Sequence, residues 1–90
     1  MPFVYIVRCA DGSLYTGWTT DLDRRIAQHN AGRGATYTRL RRPVTLVYRE
    51  DAPDRGTAMR RELAIKKLDR PRKERLIAEA EATPGSALLR

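Results

Sequence analysis

The stretch FVYIVRCADGSLYTGWT, residues 3–19, decides the fold. It contains two runs rich in β-branched and aromatic residues, Phe3–Cys9 and Leu14–Trp18, which are separated by Ala-Asp-Gly. This pattern predicts a β-hairpin. The two strands should pair antiparallel, because a parallel pair would need a much longer crossover connection.

The length of the turn determines which side chains share a face of the sheet. A two-residue turn would place Tyr5 and Tyr15 on opposite faces. A three-residue loop, with Gly12 in the left-handed region, instead sets Tyr5 opposite Gly17 and diagonal to Tyr15. We expect the three-residue loop, which brings both phenols to one face with open space above the glycine.

The next segment, TTDLDRRIAQHNAG, predicts a helix with Thr20 as its N-cap and Gly32 at its end. At about 100° per residue, the leucine and isoleucine of this segment define its apolar face. His29 falls close to that face, and Arg25 falls on its rim. Both side chains should therefore lie near the core edge rather than point into solvent.

The middle of the chain predicts a loop, a strand and a second helix. Residues 31–42, AGRGATYTRLRR, form a basic loop punctuated by glycines. The sequence PVTLVYRE at 43–50 predicts the third strand, with its proline at the start, where a missing N–H is tolerated. Asp54 is expected to cap a helix over about residues 55–68.

A last helix completes the predicted fold. Asp69 can cap it, Pro71 can open it, and it should reach about residue 82. The fold class is therefore α+β, a small three-stranded and mainly antiparallel sheet flanked by helices in the order β-β-α-β-α-α. We expect one domain over residues 1–83 and a flexible tail over 84–90.

One carboxylate of the second predicted helix stands in an apolar row. Glu62 shares a stripe with Ala58 and Ile65, and Met59 flanks it. A carboxylate in such a position is costly unless it is paired or bound to a metal. Lys66, one turn further on, is the ordinary partner for it.

Charge is the strongest global signal. Lysine and arginine number 18 against 11 aspartates and glutamates, which gives a net charge of +7 and a pI near 10.3. Most of these cations are arginines, which suit bidentate contacts with phosphate. The balance indicates a polyanionic partner, most commonly nucleic acid.

Cysteine usage and hydropathy limit where the protein works. Cys9 is the only cysteine, so an internal disulfide and a cysteine-based zinc site are excluded. The chain opens directly with a strand pattern, with no signal peptide, and no apolar run approaches the roughly 20 residues of a membrane span. We therefore expect a cytoplasmic protein without a membrane partner.

Four motifs, taken in order, resemble the GIY-YIG nuclease superfamily. VYIV is followed ten residues later by YTG, then by DLDRRIAQHN on the first helix and RRELAIKKL on a later one. GRGATYTRLRRPVTLVY is similar to the small stand-alone bacterial members. The resemblance covers residues 3 to about 77. It departs from the family pattern in Phe3-Val4, where Gly-Ile is usual, and in lacking a matching late asparagine.

The resemblance implies a divalent-metal-dependent endonuclease that hydrolyses phosphodiester bonds in nucleic acid, with DNA repair or processing as its role. Such chemistry needs an oxygen ligand for a hard metal, a base for water and a cation against the phosphate charge. Glu62 would hold a single Mg²⁺ or Mn²⁺, with water filling most other positions. Arg25 would bind the scissile phosphate.

The resemblance also gives roles to the two phenols, the histidine and the glycine. Tyr5 would take a proton from the attacking water, which requires a pKa well below the ordinary value of about 10. Tyr15 would hydrogen-bond the phosphate or the water, and His29 would orient a group or relay a proton. Gly17 would let the backbone and the substrate approach closely.

Basic and aromatic residues outside this set are candidates for nucleic-acid contacts. Most of them belong to the predicted loop and its flanks. The candidates are Arg24, Arg33, Tyr37, Arg39, Arg41, Arg42 and Lys66. Family nucleases commonly carry a second domain that grips DNA. The resemblance therefore implies weak intrinsic binding and activity, or help from a partner protein or a homodimer.

Other functions remain open on the sequence alone. Each tyrosine could be an ordinary strand aromatic, His29 a core-edge histidine, Arg25 a surface cation, and Glu62 the partner of Lys66. A nucleic-acid-binding module that keeps the fold without cleaving is the main alternative. A protein-interaction domain that recruits repair factors is weaker, because the charge of +7 disfavours it.

Overall fold

The central strand of the sheet is buried on both faces, and helices cover each side of it. The computed structural model describes residues 1–82, and the predicted tail at 84–90 lies outside the described residues. The sheet is antiparallel, with strand order β2-β1-β3. The elements are β1 (Phe3–Arg8), β2 (Leu14–Thr19), α1 (Leu22–Asn30), α2 (Thr36–Arg39), β3 (Thr45–Asp51), α3 (Arg55–Lys66) and α4 (Arg70–Ala82).

This architecture confirms the predicted α+β fold and its β-β-α-β-α-α order, with one addition. The segment expected to be entirely loop, residues 31–42, contains the short helix α2. The third strand begins two residues later than predicted. Val44 precedes it and bonds through both backbone groups to the side chain of Asn30.

The β1–β2 hairpin has the predicted three-residue loop. The Cys9 N–H donates to the carbonyl of Ser13 over 2.8 Å, and Gly12 has a φ of +86°. Tyr5 pairs with Gly17 in this register. Tyr15 therefore lies diagonal to Tyr5 on the same face of the sheet, as expected.

Each face of the sheet carries its own apolar cluster. On one face, Val4 and Ile6 of β1 pack with residues of α3 and α4, including Ile65 and Ile77. On the other face, Tyr5 and neighbouring strand residues pack with Leu22 of α1. Because β1 alternates its side chains between the two faces, Tyr5 belongs to the α1 side.

The predicted N-cap of the first helix is wrong by one residue. Asp21, rather than Thr20, has the extended backbone of an N-cap, and its carboxylate accepts from the N–H of Arg24 over 3.1 Å. A carboxylate is a strong cap because it also interacts favourably with the positive end of the helix dipole. Gly32, with a φ of +82°, follows the helix end in the left-handed region, as predicted.

The later helices begin at the predicted caps. The carboxylate of Asp54 accepts from the N–H of Thr57 over 2.7 Å, and that of Asp69 accepts from Arg72 over 3.1 Å. Helix α3 ends at Lys66, two residues before the predicted end. Within residues 1–82, no helix has both the length and the apolar character needed to cross a membrane.

Candidate active site

Three buried side chains form a chain of contacts on the α1 side of the sheet. The hydroxyl oxygen of Tyr5 lies 2.8 Å from Nε2 of His29. The other ring nitrogen, Nδ1, lies 2.7 Å from Oγ1 of Thr38. All three side chains are almost fully shielded from solvent. Strand β1, helix α1 and helix α2 thus each contribute one polar group to a continuous line.

Two glycines make room for this line. A Cβ atom at Gly17 would lie 2.5 Å from the hydroxyl oxygen of Tyr5 and 2.7 Å from Cζ. A Cβ atom at Gly34 would collide with Nδ1 and the backbone of His29. Gly17 therefore lets the buried tyrosine hydroxyl lie directly against the edge strand β2, and Gly34 lets the α1–α2 loop close over the histidine.

Tyr15 connects the contacts among Tyr5, His29 and Thr38 to a further aromatic ring, that of Tyr37. Its ring contacts that of His29 edge-on, with 5.5 Å between ring centres, and stacks against Tyr37 at 5.9 Å. Nζ of Lys66 lies 5.8 Å from the Tyr15 ring centre. The structure thus brings Tyr37 of α2 and Lys66 of α3 to the candidate site.

Arg25 lies beside the Tyr5 hydroxyl at the mouth of a shallow cleft. Its guanidinium donates to the side-chain oxygen of Gln28, three residues later on the same helix, over 3.3 Å. The cleft has a volume of about 340 Å³. It is lined by Trp18, Thr19, Thr20, Arg25, Gln28 and Arg55.

Burial shifts the pKa values of the two central groups. It raises the pKa of Tyr5, and the neighbouring Arg25 guanidinium offsets this only in part, while Tyr15 and Glu62 add to the rise. The expectation of a lowered Tyr5 pKa is therefore wrong for the free protein. Burial, followed by the charge of Arg25, lowers the pKa of His29 to about 4. His29 is thus neutral at pH 7.

Glu62 lies on α3, which packs against β2 and β1. Its side chain is only 16% exposed and lies 3.7 Å from Nζ of Lys66. Its negative charge contributes to the raised pKa of Tyr5, which places the carboxylate within electrostatic range of the phenol. Glu62 therefore pairs with Lys66 and also acts on Tyr5 through its charge.

The residues present fit a metal ion that keeps most of its water. Within residues 1–82, no three histidine, cysteine, aspartate or glutamate side chains cluster closely enough to hold a metal by themselves. Mg²⁺ is commonly bound through one or two carboxylates together with water and substrate phosphate oxygens. A single, largely buried carboxylate, Glu62, meets that requirement.

The predicted nucleic-acid contacts fall into two groups. Arg41 lies 3.8 Å from the centre of the Tyr37 ring and 3.3 Å from the carboxylate of Asp11. Arg42 donates to the carbonyl of Arg39 over 2.9 Å. Arg41 and Arg42 therefore brace the α2 region, although both remain accessible.

The remaining candidates are placed differently. Arg24, Arg33 and Arg39 are exposed on α1, the α1–α2 loop and α2. Tyr37 is 38% exposed and contacts the site through Tyr15. Their role in binding stays a prediction.

Sequence reasoning missed two residues that contact His29. Thr38 belongs to α2, in the segment predicted to be loop, and Gly34 is one of the glycines of that segment. A signal was present in the spacing of GATYT, because a small residue followed four positions later by a hydroxyl can close over a preceding helix end. That signal is weak without knowledge that α2 forms.

Comparison with known protein families gives the class of the fold, which is nuclease-type. Residues 1–75 match the sequence model described as the GIY-YIG catalytic domain. The chain therefore belongs to the GIY-YIG family.

Within that family, the proteins that this chain is similar to include small proteins named UPF0213. One from Desulfotalea psychrophila is 59% identical over 88% of this chain and 73% of its own length. One from Staphylococcus haemolyticus is 56% identical over 86% of this chain and 94% of its own length. The solution structure of the UPF0213 protein from Bacillus halodurans superimposes with a TM-score of 0.56 at 51% identity, covering 87% of this chain and 84% of that one.

Proposed function

We propose that this protein is a divalent-metal-dependent endonuclease that hydrolyses phosphodiester bonds in DNA, as part of DNA repair or processing in the cytoplasm. The observation that carries the proposal is the 2.8 Å contact between the Tyr5 hydroxyl and Nε2 of a neutral His29, beside Arg25. A base, a proton acceptor behind it and a cation for phosphate are the groups that such hydrolysis needs.

The raised pKa of Tyr5 determines how the proton moves. Tyr5 is protonated in the free protein, so it cannot act as a preformed phenolate. It can accept a proton from the attacking water while its own proton passes to His29 over the 2.8 Å contact. The water oxygen attacks phosphorus, the bond to the leaving sugar oxygen breaks, and that oxygen takes a proton from solvent. Arg25 stabilises the phosphate charge.

Glu62 would hold the Mg²⁺ or Mn²⁺ ion. The bound cation would supply positive charge to the phosphate and favour loss of a proton from water. Lys66, which neutralises the carboxylate in the free protein, would turn from Glu62 toward the substrate backbone. A partner protein or a second copy of the chain would provide the additional grip on DNA.

A cleavage assay on matched variants tests the proposal. Wild-type protein is expected to nick single-stranded or branched DNA with Mg²⁺ or Mn²⁺, and Glu62→Gln should abolish nicking while DNA binding stays unchanged. Glu81→Gln, an exposed glutamate on α4, is the charge-matched control and should cleave normally. Inert wild-type protein on all these substrates with both metals would overturn the proposal.

A second function, nucleic-acid binding without cleavage, is favoured by two observations. Glu62 is paired with Lys66, and burial raises the pKa of the would-be base Tyr5. A pure binding module would bind DNA with a steep salt dependence and would not cut it. In that case Glu62→Gln would bind DNA at least as tightly as wild type, because it removes a negative charge.

A further inference from the structure

We propose that Thr38 is a positioning residue that fixes the tautomer of His29, with the proton on Nδ1 and the lone pair on Nε2. Its part in the reaction rests on the proposed function, because only this tautomer lets Nε2 receive the proton of Tyr5. A neutral imidazole can carry its proton on either nitrogen, and the partner of the other nitrogen decides which.

The assignment follows from counting protons. Oγ1 of Thr38 lies 2.9 Å from the carbonyl oxygen of Ala35 and 2.7 Å from Nδ1 of His29. The hydroxyl has one proton, and a carbonyl oxygen can only accept. Thr38 therefore donates to Ala35, and Nδ1–H of His29 donates to Thr38. Nε2 then accepts from the hydroxyl of Tyr5.

The opposite assignment leaves two contacts unfavourable. If Thr38 donated to Nδ1, two oxygens would face each other at 2.9 Å without a proton between them. Nε2–H would then donate to the Tyr5 oxygen, and the Tyr5 proton would need another acceptor. The neighbouring guanidinium of Arg25 is donor-only. The first assignment uses one proton in each contact, which buried polar groups strongly favour.

The fold holds Thr38 firmly in this position. It is fully buried at the third residue of α2, and its backbone carbonyl accepts from the N–H of Arg41 over 3.0 Å. Gly34, which has no Cβ, lets the preceding loop lie against the His29 ring. The α2 segment therefore provides an outer partner that orients a catalytic imidazole, a role that carboxylates and carbonyls fill in other enzymes.

Nitrogen NMR of the imidazole ring tests the tautomer without reference to activity. His29 is the only histidine in the chain, so protein without a histidine tag gives one ring spin system. At pH 7, we expect Nε2 to show the shift of an unprotonated nitrogen and Nδ1 that of a protonated one. Thr38→Val should move both shifts toward a mixture, whereas Thr38→Ser should keep the wild-type pattern.

Thr36→Val, an exposed threonine of the same helix, is the matched control and should leave both shifts unchanged. Thr38→Val should also slow cleavage of bound DNA by roughly 10- to 100-fold, with unchanged DNA affinity. A wild-type Nδ1 without a proton, or a Thr38→Val spectrum like wild type, would overturn the assignment. Wild-type protein that has the expected tautomer but cuts no DNA would overturn the proposed function instead.

Discussion

At the scale of single residues, the candidate site depends on two glycines as much as on its polar side chains. Gly17 provides the space that the hydroxyl of Tyr5 occupies, and Gly34 lets the α1–α2 loop lie against the ring of His29. A side chain at either position would fit only if the buried contacts among Tyr5, His29 and Thr38 moved. Close packing makes such a shift costly.

We predict that Gly17→Ala displaces the Tyr5 phenol. The new Cβ would lie 2.5 Å from the hydroxyl oxygen, so the ring or the strand must move. We expect a loss of about 1–3 kcal/mol in the free energy of unfolding and a marked loss of cleavage. Urea denaturation and nicking measure the two effects.

The control for this prediction is Gly56→Ala on the exposed side of α3. A Cβ there meets nothing closer than 3.4 Å, so alanine should be tolerated or slightly stabilising through its helix propensity. If both alanine variants match wild type in unfolding free energy and cleavage, the site does not depend on the close approach of Tyr5 to Gly17.

His29 should make stability fall as the pH is lowered. Its pKa is about 4 in the folded protein and about 6.5 when unfolded, so between these values the unfolded chain binds the extra proton. The free energy of unfolding should drop by about 3 kcal/mol as the pH falls from about 7 to about 4. Urea denaturation across this range measures it.

His29→Gln removes the titrating group and should flatten the slope in this window, even if it lowers overall stability. Hydrogen bonds lower the pKa values of Asp11, Asp54 and Glu74. The pH therefore changes their contribution to the free energy of unfolding only below about pH 4.5, where they take up protons. An identical slope in wild type and His29→Gln would contradict the assignment of a neutral, buried His29.

At the scale of elements, the sequence determined some parts and left others undecided. The β1–β2 hairpin was predictable because a loop of fixed length with Gly12 in the left-handed region permits one register. The start of α1 was not, because Thr19, Thr20 and Asp21 can all cap a helix. Local preference alone does not choose between adjacent caps.

Helix α2 was the larger omission. Four residues carry too little periodicity to predict a helix, and this one is held by contacts with α1 and the sheet rather than by propensity. Thr38 could therefore not be placed against His29 beforehand. The raised pKa of Tyr5 was also beyond sequence reasoning, because it depends on the depth of burial relative to one nearby cation.

The end of α1 is anchored to the sheet through Asn30. Its side-chain amide donates to the carbonyl of Val44 over 3.1 Å, and its oxygen accepts from the N–H of Val44 over 2.7 Å. Asn30→Ala would leave both backbone groups of a buried residue without these partners. We expect a cost of about 1–3 kcal/mol in unfolding free energy, measured by denaturation.

Arg24→Ala, an exposed change on the same helix, serves as the control and should alter stability by no more than about 0.5 kcal/mol. Because His29 precedes Asn30, the Asn30 variant should also lose cleavage activity. Wild-type stability in Asn30→Ala would show that the anchor contributes little.

At the scale of the whole molecule, the two faces of the sheet differ in the side chains that they bury. The α3–α4 side holds the larger aliphatic cluster, and Arg8 of β1 joins it to α4 through two hydrogen bonds to Glu74. The α1 side contains the line of polar rings. The protein has a net charge of +7, which favours association with a polyanion.

The most direct test of the proposed mechanism is the single-turnover cleavage rate of Tyr5→Phe with saturating protein and Mg²⁺ or Mn²⁺. Phenylalanine keeps the packed ring and removes only the oxygen that lies 2.8 Å from His29. The mechanism predicts that wild-type protein cleaves and that Tyr5→Phe binds DNA equally well but cleaves at least ~100-fold more slowly. Cleavage by Tyr5→Phe at the wild-type rate would contradict it.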